Sequence, residues 1–228
     1  MNEIISGFLT ALHLIITLDP GVIEISIRSI LISLSSTLIG ALIAVPIGAT
    51  ITFSEFTGKR FLVNIIQTLY ALPTVLVGLF VFLLISRAGP LGFMRLLFTP
   101  EGMVIAQTVL ILPILVGLTI SALKGLDTTI LDTLRSLGAT KIQFLRSVVK
   151  EARYAIMAAV VLGFGRAISE VGAAIMIGGN IRGHTRVLTT AISLETSMGN
   201  LAVSIALGII LLMIALVINL LLAVVQNR

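Results

Sequence analysis

The chain has no cysteine, which excludes disulfides, a thiol nucleophile and a thiolate metal site. Charge is scarce as well. Only 11% of its 228 residues are Asp, Glu, Lys or Arg, against 57% hydrophobic, and the mean hydropathy is +1.18. A soluble domain of this length carries about 25% charged residues, so the composition is that of a membrane protein. There is room for roughly five or six spans of ~20 residues and for no soluble domain of useful size. Histidine is limited to His13 and His184, with no ligand cluster around either, so no metal site is expected. No Gly-x-x-x-x-Gly-Lys-Ser/Thr loop is present, so the chain is expected to hydrolyse no nucleotide itself. Nor is there a Ser/His/Asp or HExxH arrangement that would suit an intramembrane hydrolase. The start, Met1-Asn2-Glu3, has no basic stretch before its apolar residues, so no cleavable signal is expected. The formal charge of +5 does not point to nucleic acid, because the basic residues lie beside apolar runs in the manner of topology determinants.

Residues 3–18 carry Ile4, Ile5, Phe8, Leu12, Ile15 and Ile16 at helical spacing, interrupted by Glu3, Ser6, Thr10, His13 and Thr17, and Asp19-Pro20-Gly21 ends the pattern. This reads as an amphipathic helix in the membrane interface; the alternative is a first of six spans. Five apolar runs follow, at about 27–53, 61–85, 103–123, 154–177 and 201–225. Pro46, Pro73 and Pro113 fall inside three of them and predict kinks. Such kinks are either ordinary membrane-helix features or bends that line a pathway. The basic residues set the orientation. With the stretch 124–153 inside, nine are inside (Lys59, Arg60, Lys124, Arg135, Lys141, Arg146, Lys150, Arg153, Arg228) and five outside (Arg28, Arg87, Arg95, Arg182, Arg186). That asymmetry places the N-terminus outside and the C-terminus in the cytoplasm.

The polar island 124–153 has its own grammar. Ile130, Leu131, Leu134 and Leu137 are spaced for a short helix, and Gly138 suits the left-handed residue that ends one. Thr140 and Gln143 then form a capping box that starts a second helix, continued by Ile142, Leu145, Val148 and Val149. The result is a helical hairpin whose Leu131, Leu134 and Leu137 are expected to present an apolar face to a protein groove. A plain helical loop is the bland alternative. A DNA-reading helix-turn-helix is disfavoured, because the hairpin is bracketed by spans and lacks a protruding helix with long side chains.

The run Leu134-x-x-Leu137-Gly138-Ala139, followed by Phe144 and Val148-Val149, resembles the EAA loop of ABC-importer permeases. It departs from that pattern in having Asp132-Thr133-Leu134 for Glu-Ala-Ala and in lacking the prolines after the apolar pair, where Lys150-Glu151-Ala152-Arg153 stands instead. Other stretches point the same way. Leu69-Tyr70-Ala71-Leu72-Pro73-Thr74-Val75 is similar to a core span of oxyanion permeases, and 87–100 is similar to the outer loop after it. Gly165-Arg166-Ala167-Ile168-Ser169-Glu170-Val171-Gly172, then Gly178-Gly179-Asn180-Ile181, then 185–196, are similar to the molybdate/tungstate/sulfate-type permeases, and most to the tungstate branch. The likeness runs from residue 19 onward.

This resemblance implies an all-α type I ABC importer transmembrane domain covering 1–228. It implies a homodimer with two ATP-binding cassette subunits that carry ATP and magnesium, and no cofactor on this chain. It also implies an extracytoplasmic oxyanion-binding protein that delivers the cargo in the prokaryotic cytoplasmic membrane. Asp132, Leu134, Arg135, Ser136, Leu137, Gly138, Ala139, Thr140 and Phe144 are then expected to couple to the ATPase. Arg166 and Glu170 lie four residues apart in an apolar run rich in small residues. They read as a structural pair on one helical face, or as part of a gate with Ser169, Gly172 and Pro73. The glycines and Asn180 between 178 and 184 are expected to form a flexible outer turn. Beside them, Arg182 and Arg186 are either solvated loop charges or contacts for an acidic rim on the binding protein. Tungstate is the expected cargo, with molybdate or sulfate as alternatives. An ATP-independent transporter or channel is the reading of another class, and no inverted repeat supports it.

Overall fold

In the computed structural model, which describes residues 2–226 with side chains from 4 to 220, the chain is helical throughout, with no strand among the described residues. The helices are α1 (Asn2–Ile16), α2 (Pro20–Phe53), α3 (Lys59–Thr68), α4 (Thr74–Ile85), α5 (Pro100–Lys124), α6 (Thr128–Ser136), α7 (Lys141–Glu151), α8 (Arg153–Ile168), α9 (Gly172–Gly178), α10 (Leu188–Ser197) and α11 (Leu201–Gln226). Three are long and apolar enough to cross a membrane, namely α2, α5 and α11 up to Leu220. Two bent pairs, α3 with α4 and α8 with α9, bring the total to as many as five.

The pairing of α2 with α5 is the centre of the fold. The buried face of α2 is small and polar, with Ser29, Ser33, Ser36, Thr37, Gly40, Ala44 and Gly48. Lipid tails give apolar helices no reason to associate, so close backbone approach and interhelical hydrogen bonds do that work. Ser36 donates to Gln107 Oε1 at 3.0 Å, and Thr108 donates to the Ser36 carbonyl at 3.3 Å. A Cβ at Gly48 would stand 2.8 Å from Thr119 Cβ, so only glycine allows this approach. The large side chains of α2, such as Leu31, Leu38 and Leu42, face outward as a lipid-exposed helix requires.

The first span begins at Pro20, ahead of the expected residue 27. Asp19 accepts the Val22 amide at 2.9 Å and Pro20 sits at the first helical position, a favourable helix start. Before it, α1 ends with Leu18 in the left-handed region (φ 51°). Fifteen residues give α1 a length of ~22 Å, short of the ~30 Å hydrocarbon core. Its Gly7 and Ala11 pack on α11, with Ser6 and Thr10 half-buried on the same side. Ile4, Ile5, Phe8, Leu9, Leu12 and Ile16 point outward. An interfacial helix and a short sixth span both need such an apolar face toward lipid.

The prolines behave unequally. Pro46 and Pro113 lie inside unbroken helices, so the kinks expected there do not interrupt either span. Of these three prolines, Pro73 alone falls at a break between helices, where the chain turns by 100°. The stretch 154–177, expected as one span, is two helices separated by a break without proline.

Candidate functional site: two broken spans and a hairpin

At the first break, α3 runs through a 3-10 turn, Leu69–Ala71, and α4 restarts at Thr74 at 100° to it. Pro73 fixes the restart, because its carbonyl takes the amides of Leu76 and Val77 at 3.0 and 3.2 Å. At the second break, α8 ends at Ile168 and α9 leaves at 60°. Glu170 holds this corner and is 2% exposed. One carboxylate oxygen accepts from Arg166 at 3.0 Å, the other accepts the Ala173 amide at 2.9 Å, and its carbonyl accepts the Thr189 hydroxyl at 2.7 Å. The expectation of one continuous helical face carrying Arg166 and Glu170 is therefore corrected. The pair forms, but across the end of α8, with Glu170 also taking the Ala173 amide in the first turn of α9.

The breaks are in contact. A Cβ at Gly172 would lie 2.9 Å from Thr74 Oγ1, and one at Gly78 would lie 2.9 Å from Ala173 Cα. Ser169 donates to the Arg166 carbonyl at 3.1 Å, Arg166 pairs with Glu170, and Gly172 meets Thr74, the residue after Pro73, so these residues form a chain of contacts across the two breaks, with Pro73 and Ser169 exposed and Arg166 half-buried. Non-helical backbone at membrane depth is tolerated where it is buried in protein or lines a watery cavity. This cluster has both a buried side and an open one.

Two further residues belong here to which the sequence assigned no place in the site. Thr189 ties α10 to the Glu170 corner. Ser29 on α2 accepts the first amide of α10, Leu188, at 2.8 Å. For Ser29 the sequence signal is a small polar residue within an apolar run, and Thr189 lies in the stretch 185–196 without being marked out from its neighbours.

The hairpin is built as its sequence pattern predicts. Asp127 starts α6 by accepting the Thr129 amide at 2.8 Å. Hydrogen bonds from the Thr129 backbone and then from its side chain hold the Asp127 carboxyl below its usual range. At the other end, Gly138 has φ 71°. Its amide donates to Arg135 O at 3.0 Å and that of Ala139 donates to Leu134 O at 3.2 Å, the paired bonds of a Schellman end. Thr140 and Gln143 form the reciprocal cap that opens α7.

The apolar face is arranged differently from the expectation. Leu131, Leu134, Phe144, Leu145 and Val149 pack inward around buried Leu123, Val148, Ala152 and Ile156. Leu137 (77% exposed) and Ile142 (65%) are left at the tip. A nine-residue helix lying on the protein body must turn its leucines inward, so Leu131 and Leu134 are not free to fill a partner's groove. Beside the tip, Asp132, Arg135, Ser136 and Thr140 are exposed and Ala139 is half-buried. Arg135 pairs with Asp132 at 3.3 Å and lies 5.7 Å from the Phe144 ring.

Arg182 and Arg186 sit near the other end of α2. Arg182 is exposed, but Arg186 is half-buried and reaches Asn180 O at 3.4 Å. Arg28 donates to Arg186 O at 3.1 Å and to Gly183 O at 3.0 Å. The Thr185 hydroxyl bridges Gly178 O and the Ile181 amide. The flexible turn expected over 178–184 is therefore a stitched loop, and Arg186 is one of its structural members. Among the described residues no group of His, Asp and Glu could hold a metal ion.

A helical chain with two broken spans and a hairpin lying against its span ends is the architecture of a type I ABC importer permease. Two solved structures share it: the MetNI methionine ABC transporter in inward-facing form (TM-score 0.73, 18% identity, 91% of this chain and 94% of that one) and an amino acid ABC transporter (TM-score 0.68, 18% identity, 94% and 96%). Residues 36–228 match the binding-protein-dependent transport system inner membrane component family, and the chain belongs to that family. It is 42% identical over 226 residues to the tungstate uptake system permease protein of Peptoclostridium acidaminophilum, covering 99% of each chain. It is also 41% identical to a probable anion ABC transporter permease protein of Haloferax volcanii (90% of this chain, 91% of that one). The tungstate uptake permease of Campylobacter jejuni is 37% identical over 91% of this chain and 87% of its own length. The chain is thus a multi-pass membrane transport component rather than an enzyme. Its family implies ATPase and substrate-binding partners.

Proposed function

We propose that this chain is the membrane-spanning subunit of an ATP-driven importer that carries tungstate into the cytoplasm. The observation that carries the reading is the full-length similarity to tungstate uptake permeases. Two copies pair across the membrane, and each hairpin docks on one ATP-binding cassette subunit. ATP and magnesium are held there, and an extracytoplasmic binding protein delivers the anion. The basic-residue asymmetry supports a cytoplasmic hairpin and C-terminus in the cell membrane.

In this arrangement the exposed tip, with Leu137, Ile142, Arg135 and Asp132, meets the ATPase. Leu134 and Phe144 anchor the hairpin to the span ends and transmit its movement. ATP-driven approach of the two hairpins then shifts the broken spans, and the cluster of Pro73, Arg166, Ser169, Glu170 and Gly172 opens or closes the path. Arg166 presents positive potential there, and Glu170 keeps it from holding the anion tightly. Arg182, exposed near the outer end of α2, offers a contact to the binding protein, with Arg186 shaping the loop behind it.

Molybdate is the second reading for the cargo, because permeases named for molybdenum are also similar to this chain. The test is reconstitution with the ATPase and binding protein in vesicles. Tungstate-loaded binding protein should stimulate ATP hydrolysis and tungstate uptake more than molybdate-loaded protein does. Stronger stimulation by sulfate or phosphate would overturn the tungstate assignment.

A further inference from the structure

At the hairpin end of the molecule a cavity of about 730 Å³ lies between α3, the loop before it and the end of α5. Its polar lining includes Glu55, Lys59, Arg60, Asn64, Gln67 and Lys124. The chemistry of this lining is one-sided. Glu55, its one carboxylate, is already held by Lys59 at 3.0 Å, and Lys59 also donates to Thr52 O at 2.8 Å. Among the described residues, Arg60 and Lys124 are in no ion pair and their side chains make no hydrogen bond.

Helical spacing explains the shape of the lining. Arg60, Asn64 and Gln67 stand on one face of α3, while Leu62 and Ile66 of the same helix pack on Ile111, Leu115 and Val116 of α5. The polar stripe is therefore fixed toward the cavity by burial of the opposite side. Two uncompensated cations and two side-chain amides, all with N–H groups to donate, match an anion with several acceptor oxygens. A cleft lined by one sign of charge raises the local concentration of the opposite ion. Because the cavity is open and its cations are solvated, its hold is weak and salt-dependent, which suits a site that must release what it takes.

We infer that this cavity binds a tetrahedral oxyanion group through Arg60, Lys124, Asn64 and Gln67, as the compartment the cargo enters after passing the broken spans. The inference rests on the proposed import of an oxyanion toward the hairpin end. Phospholipid phosphate offers the same chemistry as the cargo, so the test separates the two sources.

The experiment uses the nucleotide-free complex of permease and ATPase without binding protein, as wild type, as Arg60→Gln/Lys124→Gln, and as the charge-matched control Arg87→Gln/Arg95→Gln. Tungstate binding is measured by equilibrium dialysis at low and high salt, and co-purifying anionic phospholipid by mass spectrometry. The expected result is tungstate binding that weakens about tenfold in the Arg60/Lys124 variant and little in the control, with the swap Arg60→Lys/Lys124→Arg restoring it. Loss of bound anionic phospholipid in that variant, with no tungstate bound by the wild type, would assign the oxyanion to lipid and overturn the cargo role. Equal tungstate and phospholipid binding by all forms would overturn the site itself. Tungstate uptake by the wild-type complex in vesicles is scored separately, so a failed transport reading is not confused with a failed cavity.

Discussion

The ring of Phe144 meets the ring of Phe53 edge-on, with centroids 5.1 Å apart and planes at 89°. Phe144 belongs to α7 of the hairpin and Phe53 is the last residue of α2. The contact joins the element proposed to meet the ATPase to a span that runs the length of the molecule. An aromatic pair of this geometry contributes about 1 kcal/mol beyond its buried area. Phe144→Ala should leave the permease in the membrane but lower tungstate uptake per ATP hydrolysed. An unchanged ratio in the reconstituted complex would show that the hairpin transmits its movement elsewhere.

Gly138 tests the turn itself. No atom lies within 4 Å of a Cβ built there, so a side chain has space and the obstacle is the backbone alone. A left-handed conformation costs an L-residue roughly 1–2 kcal/mol, and a β-branched one finds it hardest. Gly138→Val should therefore uncouple ATP hydrolysis from uptake, whereas Gly138→Asn should retain most coupling. Wild-type uptake in the valine variant would remove the turn from the coupling path.

Glu170 is the buried partner of Arg166 and the cap of α9. Breaking a buried pair by deleting one member costs about 3–5 kcal/mol, less where the survivor reaches solvent, as half-buried Arg166 does. Glu170→Ala should lower the melting temperature of the purified permease clearly more than Glu170→Gln, which still accepts the Ala173 amide. Arg166→Ala should reduce uptake; full activity in that variant would rule out a gate role for the guanidinium.

Acidification offers a test of the α6 cap. Hydrogen bonds from Thr129 hold the Asp127 carboxyl below its usual range. A depressed folded-state value means that its stabilisation is complete above the unfolded-state pKa of ~3.9 and disappears as pH falls through the folded value. Hydrogen-exchange protection of α6 should stay constant from neutral pH down to that range and drop only below it. A drop already near neutrality would place the titrating group elsewhere.

The hairpin was legible in the sequence because its signals are local. Gly138, Thr140 and Gln143 each act on their own turn of backbone, and all three act as expected. A bend at Pro73 was legible for the same reason, but not that it divides the stretch 61–85 into two helices at 100°. The break after Ile168 was not, because it is held by Glu170 and Thr189, which are 19 residues apart. Pro46 and Pro113 each sit in a helix that continues through it, so a proline alone does not mark a break. The leucines of α6 have the helical spacing the sequence predicts, but Leu131 and Leu134 lie toward the protein body rather than toward a partner. Periodicity shows that a face is apolar without saying whether the protein body or a partner covers it. Arg28 looked like a charge that sets topology, and it is committed to the carbonyls of Gly183 and Arg186.

The missing side chain of Gly78 has a mechanical consequence. Its Cα rests so close to Ala173 that α4 and α9 have no clearance between them. A linkage without slack delivers a small displacement undiminished, as a lever on a tight pivot does. Close backbone packing of this kind favours movement of the two half-helices as one unit, and a single methyl group added at Gly78 would force them apart.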